Sequence, residues 1–342
     1  MQQEQIQWEA NVWYLERLHL GKHRIDESKS LISISFMEVK EIQNREILQA
    51  YMKYELGITG QAVSTIVRRF VCIRNFIELL EQEKILAIHA TVAEVKKYAD
   101  GLRERGIQAK GFNERIFGIG HFYKFMEVKQ YITRMPFRIE YFQQKEVIVH
   151  HDRSVEETVY MEILKKLYLF PERLRCMFLH LWCLGLRASE VCTLKGNAYY
   201  QQGEDYWIQV YQVKMKNYKR IPIPQALYQI MKVYLKKHEI QPEEFIFKNS
   251  RGGACLYGTF RTQMIEACRE NKIANGEYLF QSHDYRHTVA TMFYDSHVSL
   301  QSIRDYLGHT YEEMTRQYID YMPQRIAKAN DEFFEMQGRS GP

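Results

Sequence analysis

Several features that would assign the chain to a membrane, a disulfide scaffold or a zinc protein are absent from the sequence. No apolar run reaches the roughly 18 residues that a membrane-spanning helix needs. The first ten residues are polar and acidic, unlike a secretory signal. The six cysteines include no Cys-x-x-Cys pair and no histidine at metal-ligand spacing. We therefore expect reduced thiols packed in helices, no metal site and no association with a membrane.

Signatures of nucleotide cofactors and of metal-dependent nucleases are also lacking. Gly252 and Gly253 do not have the spacing of a P-loop or of a dinucleotide-binding turn, and no strand, glycine-rich turn and helix follow one another elsewhere. No pair of acidic residues has the context of a two-metal site. The sequence therefore predicts a protein without a bound cofactor.

A strong excess of charge of one sign is missing as well. The net charge is only +5; residues 1–150 have 22 basic and 19 acidic side chains, and the remainder has 25 and 23. If the protein binds nucleic acid, its positive charge must be concentrated on particular faces. Aromatic residues make up 13% of the chain and include 24 tyrosines, so a tyrosine is informative only through its neighbours.

What is present fits two domains, since 342 residues exceed one typical domain. We expect an N-terminal extension of open role over 1–35, a helical domain over 36–144 and a linker over 145–153. A second domain covers 154–323, and a short amphipathic helix forms the tail at 324–342. Each of the two domains is long enough to bury its own core.

The first domain shows the three- and four-residue apolar spacing of helices. That spacing predicts helices near 60–82, 91–105 and 110–128, with Thr91 capping the second of them. The opening residues are harder to interpret, and we predict a helix near Ile6–Leu18.

Basic side chains lie away from the apolar stripes of these helices. The candidates for phosphate contacts are Arg68, Arg69, Lys110 and Arg115. The alternative is that these side chains are merely solvated on the outer faces of the helices, and the sequence alone does not decide between the two.

In the second domain, a buried helix that starts after Pro171 ends at Gly185, and the chain then reads Gly-Leu-Arg-Ala-Ser-Glu-Val. Arg187 therefore lies between two buried segments, where an unpaired guanidinium would be costly. Its partner is Glu190, a backbone carbonyl or a substrate phosphate, and all three remain open at this point.

Residues 206–224 differ from the helical segments around them. Two segments rich in aromatic and β-branched residues flank a lysine-rich stretch that contains Asn217. This pattern predicts a β-hairpin. Lysines at such a turn usually favour solubility. A lysine that the strands direct into a cleft could instead act as a general acid.

The stretch from His283 to Tyr318 holds a group of residues suited to phosphodiester chemistry. A histidine and an arginine lie three residues apart, a second histidine follows a glycine, and a tyrosine comes nine residues after it. A tyrosine has a pKa of about 10 and is a weak nucleophile at neutral pH. Cationic and imidazole groups that converge on it are what such a nucleophile would need.

With these motifs in order, the chain resembles the tyrosine recombinase (phage integrase) family. The resemblance is strong over about 154–321 and weaker over about 36–128, where the helices are similar to the family's core-binding domain. Tyr318 has the family's nucleophile spacing, nine residues after the histidine, and Lys214 precedes Pro222 by eight residues. The residues that match the family's catalytic positions are Arg187, Lys214, His283, Arg286, His309 and Tyr318.

This resemblance implies a mainly α fold. Its parts would be an N-terminal helical bundle of the core-binding, SAM-like type and a mixed α/β, mostly helical catalytic domain with a small antiparallel sheet. It also implies a site-specific recombinase or transposase that cleaves and rejoins DNA through a 3′-phosphotyrosyl intermediate, without metal or ATP. The implied partner is double-stranded DNA at specific sites.

The resemblance further implies a homotetramer on DNA and a monomer or weak oligomer without it, with the tail docking on a neighbouring subunit or on its own domain. The form of the last motif favours a mobile-element member. Such a protein would be cytoplasmic and nucleoid-associated in a bacterial-type cell.

Two departures from the family pattern are the hairpin and His297, which stands where many members have a glycine and is expected to alter a helix terminus without changing the chemistry. The hairpin reads Val-Lys-Met-Lys-Asn-Tyr-Lys-Arg instead of a Gly-Lys-Gly turn, so Lys216 or Lys219 is an alternative catalytic amine, and both are candidate DNA contacts. Tyr321 lies three residues past Tyr318 and is a less favoured nucleophile.

Three other functions fit parts of the sequence. A type IB topoisomerase would share the chemistry but relax DNA without exchanging partners. A DNA-binding relative without catalysis is disfavoured because every catalytic position is filled. A helical protein-interaction scaffold would leave the ordered motifs as coincidence.

Overall fold

A computed structural model describes residues 8–30, 32–147, 153–212, 215–308 and residue 315. The chain forms two compact units: unit 1 comprises Met1–Asp26 and Ser30–Ile148, and unit 2 comprises Glu27–Lys29 and Val149–Pro342. The main division falls within the predicted linker.

Unit 1 is a helical bundle preceded by a short β-ribbon. Its helices are α1 (Ile42–Ile58), α2 (Val63–Gln82), α3 (Val92–Glu104) and α4 (Ala109–Val128). The apolar stripe predicted for α2 is buried, since Ile66, Ile73 and Leu80 are fully inaccessible to solvent. Thr91 caps α3 as predicted, with its side chain accepting from the backbone N–H of Ala93 at 3.2 Å.

Apart from Glu27–Lys29, the described part of the N-terminal segment belongs to unit 1. Strand β1 (Val12–Tyr14) pairs antiparallel with β2 (Ser33–Ser35), and Trp13 opposes Ile34 in the register. Both of these side chains are buried in the core of unit 1. The predicted helix over Ile6–Leu18 was therefore wrong, because strand pairing with a segment about twenty residues away decides the local structure.

Unit 2 contains helices around a small sheet. The helices are α5 (Glu157–Lys166), α6 (Glu172–Leu184), α7 (Ala188–Cys192), α8 (Gln225–Lys237), α9 (Tyr257–Glu270), α10 (Ser282–Asp295) and α11 (Leu300–Leu307). The strands are β3 (Tyr199–Gln202), β4 (Asp205–Gln212) and β5 (Asn217–Pro222), in the antiparallel order β3-β4-β5. The predicted fold class and the predicted hairpin are confirmed.

The core of unit 2 is built around α6, whose apolar side chains include Met177, Leu181 and Leu184, all fully buried. Helix α6 packs against α10, where Phe178 meets Tyr285 edge-to-face at 5.1 Å between ring centroids. None of the helices in the described parts of either unit is long and apolar enough to cross a bilayer.

Candidate active site

Arg187 lies at the junction of α6 and α7. Gly185 ends α6 in the left-handed region, with φ +58°, and Arg187 is the N-cap residue of α7. Its guanidinium Nη1 donates to Glu190 Oε1 at 2.9 Å, and its backbone N–H donates to Glu190 Oε2 at 2.9 Å. Glu190, one of the partners that the sequence left open, therefore contacts Arg187 in the structure.

Arg286 is a fully buried side chain on α10, at 0% exposure. Its Nη1 donates to the carbonyl of Gly185 at 2.9 Å, and its Nη2 donates to the carbonyl of Leu307 at 2.6 Å. One planar guanidinium thus joins the end of α6 to the end of α11. A forked donor holds two acceptors in a fixed geometry, which a lysine ammonium cannot reproduce.

Lys219 also reaches this cluster. Side chains alternate along β5, so Lys219 and Ile221 face the interior while their neighbours face solvent. The ammonium Nζ lies 3.4 Å from Glu190 Oε2 and 3.4 Å from the carbonyl of Leu307. Burial, together with the positive charges of Arg286 and Arg187, lowers the pKa of Lys219 to about 8 although Glu190 opposes that shift.

Glu190 is the anion at the centre of these cations. Its burial alone would raise the pKa of the carboxyl, but Lys219, Arg286 and Arg187 lower that pKa to about 2. The carboxylate is therefore ionised at neutral pH. The three cations outnumber this one buried carboxylate, so the cluster has an excess of positive charge available to a bound anion.

His283 precedes Arg286 by one helical turn on α10. Its ring meets that of His287 edge-to-face, with centroids 5.0 Å apart and planes at 88°. Burial, followed by the charges of Arg286 and Arg187, lowers the pKa of His283 to about 4. The imidazole is therefore neutral at physiological pH and able to accept a proton.

Two residues of this region were not singled out from the sequence. His287 lies four residues after His283, a spacing that places both rings on one helix face. Gln212 is the last residue of β4 and shares the inward face of Ile208 and Val210. The alternation along that strand is the signal that could have identified Gln212.

Three predicted catalytic residues lie outside the described residues, namely Lys214, His309 and Tyr318. The chain is described up to Gly308 before His309, and at Gln212 and Met215 around Lys214. Gly308, with φ +69°, ends α11 immediately before His309, and the carbonyl of Leu307 accepts from both Arg286 and Lys219. The backbone N–H of Lys216 closes the hairpin turn on the carbonyl of Gln212 at 2.8 Å.

The basic candidates of unit 1 have different environments. Arg68 is 62% exposed and pairs with Glu114, whereas Arg69 is 14% exposed and donates to Glu55 at 2.8 Å. Arg115 donates to the carbonyl of Gly111. Lys110 is exposed.

Metal ligands do not cluster in the parts of the chain described: no three His, Cys, Asp or Glu side chains there could hold an ion. The site is instead assembled from cations and hydrogen-bond donors around one carboxylate. Such an arrangement is suited to stabilising an anion by preorganised charge.

Comparison with known proteins places this site in a family. Residues 153–325 match the model of the phage integrase family. Transposase B from transposon Tn554 of Staphylococcus aureus is 24% identical over 339 residues, which is 96% of this chain and 54% of that protein. The chain therefore spans about half the length of that transposase. The tyrosine recombinase XerC of Bacillus licheniformis is 23% identical, with 84% of this chain and 92% of that protein covered.

Solved structures show the same fold. The XerH site-specific recombinase bound to its difH substrate has a TM-score of 0.60 at 14% identity, covering 87% of this chain and 90% of that one. The Tn1549 transposon integrase in complex with circular intermediate DNA has a TM-score of 0.55 at 16% identity, covering 80% and 94%. The family match covers half of the sequence and contains the arginine, lysine and histidine cluster of unit 2. This chain therefore belongs to the phage integrase family, the tyrosine recombinases.

Proposed function

We propose that this protein is a site-specific DNA recombinase that cleaves and rejoins strands through a covalent link to Tyr318. The observation that supports it best is the cluster of Arg187, Arg286 and Lys219 around Glu190 at the end of α11. The chain continues from that point to His309 and, nine residues later, to Tyr318. The likeness to a transposase supports a role in integrating or excising a mobile element.

In the proposed reaction, the Tyr318 oxygen attacks a DNA phosphorus in line with the leaving 5′ oxygen. Negative charge grows on the non-bridging oxygens of the phosphate in the transition state. Arg187 stabilises that charge with a permanently charged, forked donor, and Arg286, whose Nη groups bond to backbone carbonyls, contributes its positive charge. His309 supplies a further donor.

The leaving 5′ oxygen needs a proton, and a lysine of the hairpin supplies it. We assign this role to Lys214, which follows β4 by two residues. Lys219 is the alternative, and its pKa of about 8 would suit a general acid. Its side chain is only 7% exposed and contacts both Glu190 and the carbonyl of Leu307, so we assign it the electrostatic role instead.

His283 exchanges a proton with the tyrosine. Its pKa of about 4 means that the ring is neutral near neutral pH but a weak base, so it accepts the proton only as the tyrosine oxygen attacks the phosphorus. The 3′-phosphotyrosyl link conserves the phosphodiester bond as an activated ester. A second DNA 5′-hydroxyl then reverses the step, so that the cycle consumes neither ATP nor a metal ion.

A suicide substrate tests this function. The protein is incubated in EDTA with duplexes from a sequence library that are nicked beside the cleavage position, so that the short leaving strand diffuses away. A covalent protein–DNA adduct is expected. A strict requirement for a divalent ion would contradict the proposal and favour nuclease chemistry.

The leaving-group role is tested with methionine variants of Lys214, Lys216 and Lys219 and a substrate with a bridging 5′ sulfur. A thiol has a pKa of about 8.5, so it leaves without a donated proton. The variant that lacks the general acid is expected to recover cleavage on this substrate. Recovery in Lys219→Met but not in Lys214→Met would overturn our assignment.

Recombination, as opposed to topoisomerase activity, is tested by the products. Exchange of strands between two duplexes that contain the trapped sequence is expected. Relaxation of supercoils without sequence preference would favour the type IB topoisomerase function.

We also propose that unit 1 contributes sequence-independent contacts to DNA phosphates through Arg68, Lys110 and Arg115. Arg69 is a weaker candidate because it is committed to Glu55. Each lost phosphate contact is expected to reduce the salt dependence of binding by about one counterion. Arg68→Gln compared with Arg69→Gln measures this, and an unchanged slope in Arg68→Gln would contradict it.

Assembly on DNA is proposed to be a homotetramer, in which the tail at 324–342 docks on a neighbouring subunit. The tail has apolar residues at Ile326, Phe333 and Phe334 for such a contact. Deletion of 324–342 is expected to abolish multimers on DNA while leaving monomer binding. Undiminished assembly would contradict trans docking.

We place the protein in the cytoplasm, associated with the nucleoid.

A further inference from the structure

Gln212 is buried at the point where three segments of the candidate active site meet. Its side chain is 3% exposed, and its amide Nε2 donates to Glu190 Oε1 at 3.1 Å. Its backbone carbonyl accepts from the N–H groups of Met215 and Lys216, at 3.0 and 2.8 Å, and so closes the lysine hairpin. The same residue therefore contacts the helix of Arg187 and the turn that contains Lys214.

The third segment is the end of α11. A Cβ atom on Gly308 would lie 2.7 Å from Gln212 Oε1 and 2.9 Å from its Cδ, so the amide packs directly on this glycine. Gly308 also has a φ of +69°, which a side chain would strain. A side chain at this position would displace the Gln212 amide and strain the backbone.

The amide of Gln212 completes the hydrogen bonding of Glu190. An ionised carboxylate has about four acceptor positions. Oε1 receives Arg187 Nη1 and Gln212 Nε2, and Oε2 receives the Arg187 backbone N–H and the Lys219 ammonium. The orientation of Glu190, and with it the guanidinium of Arg187, therefore depends on this donor.

We propose that Gln212 is a positioning residue. It holds Arg187, the turn between β4 and β5, and Gly308 before His309 in fixed positions relative to one another. This inference rests on the proposed strand-cleavage function. Gln212 touches no reacting atom; it acts through Glu190 and Gly308. An uncharged amide is required because a carboxylate in its place would face Glu190 in a buried site, where two like charges cannot both persist.

The first test compares Gln212→Met with Gln209→Met. Methionine keeps the length of the side chain but cannot donate, and Gln209 lies on the same strand with its side chain bonded to Arg220. Gln212→Met is expected to slow formation of the covalent adduct by about 100-fold, the loss that a misplacement of about 1 Å causes. DNA affinity is expected to match that of Gln209→Met, whereas thermal unfolding is expected at a lower temperature, because a buried hydrogen bond to the ionised Glu190 is lost.

The second test exchanges the two groups. Gln212→Glu is expected to be inactive at pH 8 and to regain cleavage as the pH falls and one of the facing carboxyls takes up a proton. The double variant Gln212→Glu with Glu190→Gln restores one donor and one carboxylate, and it is expected to exceed Gln212→Glu at pH 8. A role in bulk packing alone would predict neither the pH response nor the rescue.

The outcomes separate this inference from the function it rests on. Cleavage by Gln212→Met at the wild-type rate, or a double variant no better than Gln212→Glu, would overturn the positioning role. If the wild-type protein forms no adduct, the proposed function fails instead. The positioning contact is then judged by amide hydrogen exchange at Lys216 and Gly308, which Gln212→Met is expected to accelerate and Gln209→Met is not.

Discussion

Replacing Arg286 by lysine keeps the charge of the buried side chain but removes the guanidinium, whose two Nη groups donate in different directions. The guanidinium spans two carbonyls, at 2.9 Å to Gly185 and 2.6 Å to Leu307, and it is fully buried. A lysine ammonium can reach one of these carbonyls, and the other loses the hydrogen bond from residue 286. A hydrogen bond to a charged group contributes about 1.5–3 kcal/mol, so we expect the free energy of unfolding of unit 2 to fall by that amount.

An effect on catalysis is expected as well. Without the guanidinium, the end of α6 that leads to Arg187 is no longer held to the end of α11, and a misplacement of about 1 Å slows the chemical step about 100-fold. Single-turnover cleavage of a suicide substrate measures the rate, and urea unfolding followed by hydrogen exchange in the peptides of α10 and α11 measures the stability. Arg304→Lys is the matched control, since Arg304 is on α11 and pairs with Asp305 at the surface.

Two results would refute this reasoning. If Arg286→Lys cleaved DNA at the wild-type rate, the forked geometry would have no role in the reaction. If hydrogen exchange at Leu307 and its neighbours were unchanged, Arg286 would not hold α11 to α6.

Three further predictions concern protonation and backbone conformation. His180 donates to the carbonyl of Cys176 and contacts Tyr199, and burial lowers its pKa to about 4. Folding therefore favours the neutral ring. The free energy of unfolding should fall by about 3 kcal/mol in total as the pH falls from about 6.5 to 4. In urea titrations, His180→Gln should lose less unfolding free energy than the wild type between about pH 6.5 and 4. The same loss in both proteins would contradict this prediction. His283 has a pKa of about 4, so the cleavage rate should show no change near pH 6.5. A change in rate near pH 6.5 that is absent from His283→Gln would contradict the claim that the ring is neutral. Gly185→Ala combines a φ of +58° with a Cβ 3.2 Å from Val289, so its unfolding free energy should fall by about 1–2 kcal/mol; an unchanged value would show that α6 can end without the left-handed residue.

Residues whose role depends on local spacing were predictable from the sequence. The stripe of α2, the Thr91 cap and the hairpin all follow from periods of 3.6 or 2 along the chain. The ordered motifs singled out Arg187 and Arg286 by their sequence context, and the structure brings both near Glu190, while their catalytic role stays a prediction. The sequence could also have predicted that Lys219 faces the interior, since it lies two residues from Ile221 on β5 and alternate side chains of a strand share a face.

Contacts between distant segments were not predictable in the same way. The bond from Arg286 to Leu307 joins residues 21 apart, and that to Gly185 joins residues 101 apart. No local pattern specifies which carbonyls a buried guanidinium will meet. The strand pairing of Trp13 with Ile34 is another example, and it replaced the helix that local spacing had favoured.

The central claim is that Tyr318 forms the covalent bond to DNA, and one measurement tests it most directly. Wild-type protein, Tyr318→Phe and Tyr321→Phe are each trapped on a nicked duplex, and the DNA-linked peptide is identified by mass spectrometry. We predict an adduct on the peptide of Tyr318 through a 3′ phosphate, its persistence in Tyr321→Phe, and its complete loss in Tyr318→Phe with DNA binding intact. An adduct that persists in Tyr318→Phe would contradict the account.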